Sequence, residues 1–209
     1  DNPYYQLIVW DPRAQEILGG YRYFVCNSVD CTTNEIDKHL ATSHLFKFSD
    51  EFRKDYMPYA IELGRSFVQP LYQSSRLARK GMFALDNLWD GLGALCLLHE
   101  HAKYFLGKVT MYTHFNRKGR DMILCFMHRH FPDANELCTP LSPLVTAEDL
   151  EYVKPIFTGK NYDEDYKILS KEIRNLGLKI PPLINSYMSL SPTMKTFGTS
   201  INDEFGDVE

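Results

Sequence analysis

The stretch Tyr59-Ala-Ile-Glu-Leu-Gly-Arg-Ser-Phe-Val68 decides how the chain is read. Its apolar residues form a short β-strand signal, yet Glu62 and Arg65 lie in its middle. Side chains alternate between the faces of a strand, so residues three apart point to opposite sides unless a bulge inserts one more residue. Gly64 is the expected place for such a bulge. From Arg65 to Lys80 the basic residues Arg65, Arg76, Arg79 and Lys80 occur with no acidic one, and Gly81 is expected to open a long helix. Strand, basic turn and helix N-terminus together suit an anionic ligand.

Working outward, 209 residues with 44% apolar and 13% aromatic content are enough for an ordinary folded core, and the pattern reads as one domain. A net charge of −4 and a pI near 6.0 argue against a general nucleic-acid binder. The longest uncharged apolar run, Gly91 to Leu98, is far short of the ~20 residues of a membrane-spanning helix. No signal-peptide pattern opens the sequence, so a cytoplasmic location is expected. Cys26, Cys31, Cys96, Cys125 and Cys138 show no C-x-x-C pairing and read as reduced, mostly structural thiols.

Gln6–Trp10 and Ile17–Val25 read as strands joined through the turn residues 11–16, an antiparallel hairpin. Residues 26–40 are polar and irregular, Leu45–Phe48 alternates, and Asp50–Tyr56 suits one or two helical turns. From Met82 to about His101, apolar residues at 85, 88, 89, 92, 95 and 96 follow a helical period. Tyr104–Tyr112 reads as a strand parallel to residues 59–68 across that helix, and Arg117–His130 as a second helix. Thr146 to Asp149 resembles the N-cap of a further helix, whose stripe is Tyr166, Leu169, Ile173 and Leu176 and whose end is Gly177. A short helix over Leu183–Leu190 and a last strand over Thr196–Ile201 complete the reading.

The order Ile8-Val-Trp10, turn, Gly19-Gly-Tyr-Arg22, Ile61-Glu-Leu-Gly-Arg-Ser-Phe-Val68, helix, strand resembles the GNAT acyltransferase superfamily. The match is to its acyl-carrier-protein-dependent N-acyltransferases of ornithine and glycine lipid synthesis, often labelled hemolysins, and it is nearest the Bacteroidetes type. Ile180-Pro-Pro-Leu-Ile-Asn-Ser-Tyr187 and Phe197-Gly-Thr-Ser-Ile-Asn-Asp-Glu-Phe-Gly-Asp207 resemble the close of that family, so the likeness covers nearly the whole chain. The Glu-x-x-Arg element is also similar to that of acyl-homoserine-lactone synthases. The resemblance implies an α/β (α+β) fold, a mixed and mainly antiparallel sheet flanked by helices. Family members start with a strand and helices that this sequence lacks, and the end at Glu209 reads as short of a final strand. A piece truncated at both ends is therefore expected.

GNAT enzymes usually cradle the coenzyme A pyrophosphate on an Arg/Gln-x-x-Gly-x-Gly/Ala turn, whereas this sequence has Gln73-Ser-Ser-Arg-Leu-Ala-Arg-Lys-Gly81. The departure favours acyl-phosphopantetheine on an acyl carrier protein as donor, with coenzyme A thioester as the alternative. Arg76, Arg79, Lys80 and Gly81 are then expected to meet the phosphate or the carrier's acidic surface. The implied reaction moves a fatty, or 3-hydroxylated fatty, acyl group to the α-amine of an amino acid such as glycine or ornithine. Its expected partners are the carrier protein, the amino acid and a peripheral membrane surface at the inner face, with no nucleic acid.

Amide formation needs an amine that has lost its proton, so Glu62 is a candidate general base. A structural or substrate-orienting pair with Arg65 is the other reading. Arg65 and Arg22 are candidates to orient a substrate carboxylate or to lock the sheet. Backbone N–H groups of Gly64, Ser66, Phe67 and Val68 are expected to receive the thioester oxygen. His99/His101 and His128/His130 have an i, i+2 spacing that separates their imidazoles on a helix, unlike a zinc site. Asp86 and Asn87 read as stabilisers of a helix start, and Cys125 and Cys138 as buried thiols. A coenzyme A-dependent GNAT acting on another amine and a non-enzymatic, hemolysin-like interaction protein remain the alternatives.

Overall fold

The computed structural model describes residues 4–30, 35–73, 78–204 and 207–208, with the backbone alone at 78–80, 82, 207 and 208. Its strands are β1 (Tyr5–Asp11), β2 (Glu16–Val25), β3 (Phe46–Phe48), β4 (Ala60–Val68), β5 (Tyr104–Gly107), β6 (Cys138–Pro140), β7 (Ile201–Asn202) and β8 (Asp207–Val208). Its α-helices are α1 (Ala78–Leu98), α2 (Arg117–His130), α3 (Tyr162–Asn175) and α4 (Pro182–Leu190). The chain divides into two compact units, Asp1–His44 with Asp50–Lys108, and Leu45–Ser49 with Val109–Glu209.

The first unit holds a four-stranded sheet in the order β1-β2-β4-β5. The hairpin of β1 and β2 forms as read, because Asp11 Oδ1 accepts the N–H groups of Arg13 and Ala14 at 3.0 and 3.1 Å and so closes the turn. β2 and β4 are antiparallel, and β4 and β5 are parallel across α1. α1 turns Ala84, Leu88, Leu92 and Leu95 inward, each no more than 3% exposed, close to the stripe expected from its period. The mixed, mainly antiparallel sheet flanked by helix is GNAT-like.

In the second unit, Met122, Ile123 and Phe126 of α2 meet Leu169 and Ile173 of α3 in one apolar core. The Phe126 ring lies 4.6 to 6.1 Å from the rings of His130, Phe157, Tyr162 and Tyr166. Asn116 caps α2 by accepting the N–H of Gly119, and Asn161 caps α3 by accepting that of Glu164. α3 ends where Gly177 takes a φ of +71°, with Leu178 N–H bonded to the Ile173 carbonyl. Asp165, fully buried on α3, accepts from Gly159 N–H, Arg129 Nε and His130 Nε2 at 2.8 to 3.0 Å.

Four expected boundaries need correction. Thr146 and Asp149 are hydrogen-bonded to each other at the single turn 148–150, and α3 begins only at Tyr162, capped by Asn161 ahead of an acidic first turn. The strand from Tyr104 stops at Gly107, since only Tyr104–Gly107 has β4 beside it. Residues 196–201 form no continuous strand; Thr196 and Ser200 make isolated bridges to Pro132 and Pro143. α1 opens at Ala78, ahead of Gly81, so Asp86 and Asn87 are interior to it, and the Asn87 amide donates to the Phe83 carbonyl.

Candidate functional site

The charged strand β4 is bulged, one residue later than expected. Arg22 faces Gly64 across the β2–β4 ladder and Gly20 faces Phe67, so Arg65 and Ser66 together oppose Tyr21. Arg65, with a φ of +48°, takes the left-handed conformation that usually falls to glycine in such a bulge. Gly64 has open space where a Cβ would stand and is not the strained position. Gly64 and Val68 are half-buried, whereas Arg65, Ser66 and Phe67 are exposed. Arg65→Gly is expected to stabilise the unit by about 0.5–1 kcal/mol, because the left-handed penalty of ~1–2 kcal/mol is partly offset by glycine's unfolded-state entropy. The urea midpoint reads this; a lower midpoint would mean that the Arg65 side chain holds the strand.

Glu62 lies on the other side of the question of charge in a strand. It is 4% exposed, and its two carboxylate oxygens accept from Ala41 N–H at 3.0 Å, Thr42 N–H at 2.8 Å and the Thr42 hydroxyl at 2.7 Å. Arg65 is in no ion pair with it, so the expected Glu62–Arg65 pair is replaced by a clamp on residues 41–42. The physical reason is supply: a buried carboxylate needs donors on all sides, and two N–H groups and a hydroxyl give them at short range.

Arg22 is half-buried with its guanidinium 4.3 Å above the Tyr4 ring. Because side chains alternate along β2, Arg22 and Phe24 share a face, and their partners Gly64 and Glu62 on β4 share it too. The His39 ring stacks on Phe24 at 5.6 Å and 15°, and the Tyr4 ring is 5.8 Å from Phe24. That face therefore carries, in a row, a guanidinium, two aromatic rings and an imidazole beside the bulge. The other face carries Tyr5 stacked on Tyr23, with His99 edge-on to Tyr23.

Of the basic turn, Arg76 lies outside the described residues, as do the side chains of Arg79 and Lys80, which occupy the first turn of α1. Gly81 is placed by packing: a Cβ there would stand 2.4 Å from the Tyr72 carbonyl oxygen, so α1 passes against the turn 70–73 only with glycine. In the second unit, a cavity of about 270 Å³ is lined by Arg117, Arg120, Asp121 and Asp149 among others. Its charges are already engaged, since buried Asp121 accepts from Arg120 and from the Tyr152 hydroxyl.

Residues 1–81, which include the hairpin, the clamp and the bulge, match the family described as acetyltransferase (GNAT) domain. Over that stretch the chain is similar to the GNAT superfamily. Over its whole length the chain is 55% identical, across 213 aligned residues, to a protein named glycine N(alpha)-acyltransferase from Phocaeicola vulgatus. It is 58% identical across 210 residues to a protein of the same name from Bacteroides thetaiotaomicron. The chain spans 64% and 62% of the length of these curated relatives. No solved structure matches it. Among the described residues no helix is long and apolar enough to cross a membrane, and no group of His, Cys, Asp and Glu side chains is arranged to hold a metal ion.

Sequence reasoning placed Glu62, Arg65, Arg22 and residues 64–68 on adjacent strands of this sheet, but it missed Tyr4, His39 and Thr42. The signal for Thr42 was indirect: a Glu inside an apolar strand requires hydrogen-bond donors, and the polar segment before β3 is where they are found. Nothing in the spacing of His39 announced a ring stack on Phe24.

Proposed function

We propose that the protein is an N-acyltransferase that moves an acyl group from a thioester to the α-amine of glycine, and that this chain carries its acyl-transfer site. The observation that carries the reading is identity of 55% and 58%, over the full chain, to proteins named glycine N(alpha)-acyltransferase. The bulged strand agrees with it. The bulge takes Arg65 and Ser66 out of the ladder with β2, and backbone N–H groups of this stretch, residues 64–68, suit the oxygen of a thioester as it gains charge. In the reaction the amine nitrogen attacks the thioester carbon, the C–S bond breaks, and the nitrogen's surplus proton leaves it. Arg22, with Gly64 opposite, is the cation on that face suited to the glycine carboxylate.

The donor proposed is an acyl carrier protein, with Arg76, Arg79 and Lys80 receiving the phosphopantetheine phosphate or the carrier's acidic helix, and the product is an aminolipid precursor made at the cytoplasmic side of a membrane. The test is the intact protein with acyl carrier protein thioester or coenzyme A thioester, against glycine, ornithine and other amino acids. N-acylglycine formed faster from the carrier thioester is expected. Preference for coenzyme A would remove the carrier assignment, preference for ornithine would remove the glycine assignment, and no transfer from either donor would remove the enzyme reading.

A further inference from the structure

We propose that His39 is the group that accepts the proton of the attacking amine, and that Glu62 serves it by positioning; this rests on the N-acyltransferase reading above. The reaction requires a proton acceptor beside the amine. Glu62 is ill suited to take it: its carboxylate is buried at 4% exposure, and both oxygens are already occupied by the donors of residues 41 and 42. His39 is half-buried on the same face of the sheet, and neither of its ring nitrogens is hydrogen-bonded among the described residues.

The geometry around it is held from several sides. Its ring lies flat on Phe24, which faces Glu62 across the ladder, and Glu62 is two residues, about 7 Å, from Gly64 at the start of the bulge. Its N–H donates to the Ile36 carbonyl at 2.9 Å, and its carbonyl accepts from the Tyr4 hydroxyl at 2.7 Å. Glu62 fixes residues 41 and 42, two and three positions after His39, and the Ser43 hydroxyl donates to the carbonyls of Asp37 and Leu40. A ring held this way loses little freedom on meeting substrate. Tyr4 links it to Arg22, so a small amino acid with its carboxylate on Arg22 presents its amine along the row toward His39. The charged groups around the ring are Glu35, paired with Lys38; Asp37, paired with Arg53; and Arg22 and Glu62 from β2 and β4.

The step balances without a further reactant. The free amine of glycine forms the C–N bond, its surplus proton passes to a neutral His39 nitrogen, the C–S bond breaks, and His39 returns the proton to the departing thiolate, leaving amide and thiol. His39→Gln in the intact protein tests it, with kcat and KM for glycine and for the thioester followed against pH. The expected result is a roughly 100-fold loss of kcat, a pH profile of kcat that differs in shape from the wild type's, and an unchanged thioester KM. Added imidazole is expected to restore part of the activity of His39→Ala, which a structural role would not allow. Wild-type kcat in His39→Gln, or a loss with the shape of the wild-type pH profile kept and no imidazole rescue, overturns the assignment while leaving the acyltransferase reading standing. Should His39→Gln fail to fold, His39→Asn is read in the same way. A wild-type protein that makes no N-acylglycine overturns both.

Discussion

Glu62→Ala is expected to lower the stability of the first unit by about 4 kcal/mol, because hydrogen bonds to a charged acceptor contribute roughly 1.5–3 kcal/mol each and are not additive. The Ala41 and Thr42 N–H groups and the Thr42 hydroxyl would all lose their acceptor at once, in a place that is 4% exposed and that water reaches poorly. A thermal midpoint roughly 10 °C lower reports it. Glu62→Gln is expected to lose about half as much, since the side-chain amide can turn its oxygen toward one N–H but must set its NH₂ against another donor. Unchanged melting of Glu62→Gln with a large loss of turnover would instead return Glu62 to the role of direct base.

The second large effect belongs to the other unit. Asp165→Ala removes the fully buried carboxylate that holds Arg129, His130 and the Gly159 N–H, and it is expected to cost about 3 kcal/mol. The figure stays at the low end of the range for broken buried pairs because Arg129 is 45% exposed and can reach water once its partner is gone. Hydrogen exchange at the N-terminus of α3 is expected to rise first, since Gly159 and the capping Asn161 both lead into that helix. A loss under 1 kcal/mol would show that packing around Phe126 carries this corner without the ion cluster.

What could be read from sequence follows the range of the forces involved. The hairpin, the parallel pairing across α1 and the burial stripes of α1 and α3 rest on period and local turn chemistry, and Asp11 in its turn or Gly177 at its helix end act within a few residues. Register was less accessible. The bulge falls on Arg65 and not on Gly64 because ladder pairing with Gly20 and Arg22 fixes it, a constraint that arises only when β2 lies beside β4. The tasks of Glu62 were hidden for the same reason: its donors are 20 and 21 residues earlier. Gly81 had a visible composition signal, and the structure adds a packing cause that the sequence did not show, the Tyr72 carbonyl against α1. The aromatic row from Tyr4 to His39 joins residues 35 apart in the chain, a distance over which no local period operates.

The central claim is acyl transfer to the amine of glycine, and it is most directly tested by following the nitrogen. Intact protein would be incubated with acyl carrier protein thioester and ¹⁵N-glycine, and the products measured by mass spectrometry alongside free carrier thiol. N-acyl-[¹⁵N]glycine appearing in step with the thiol is the predicted result; thiol released without labelled amide, or neither product, would contradict the account.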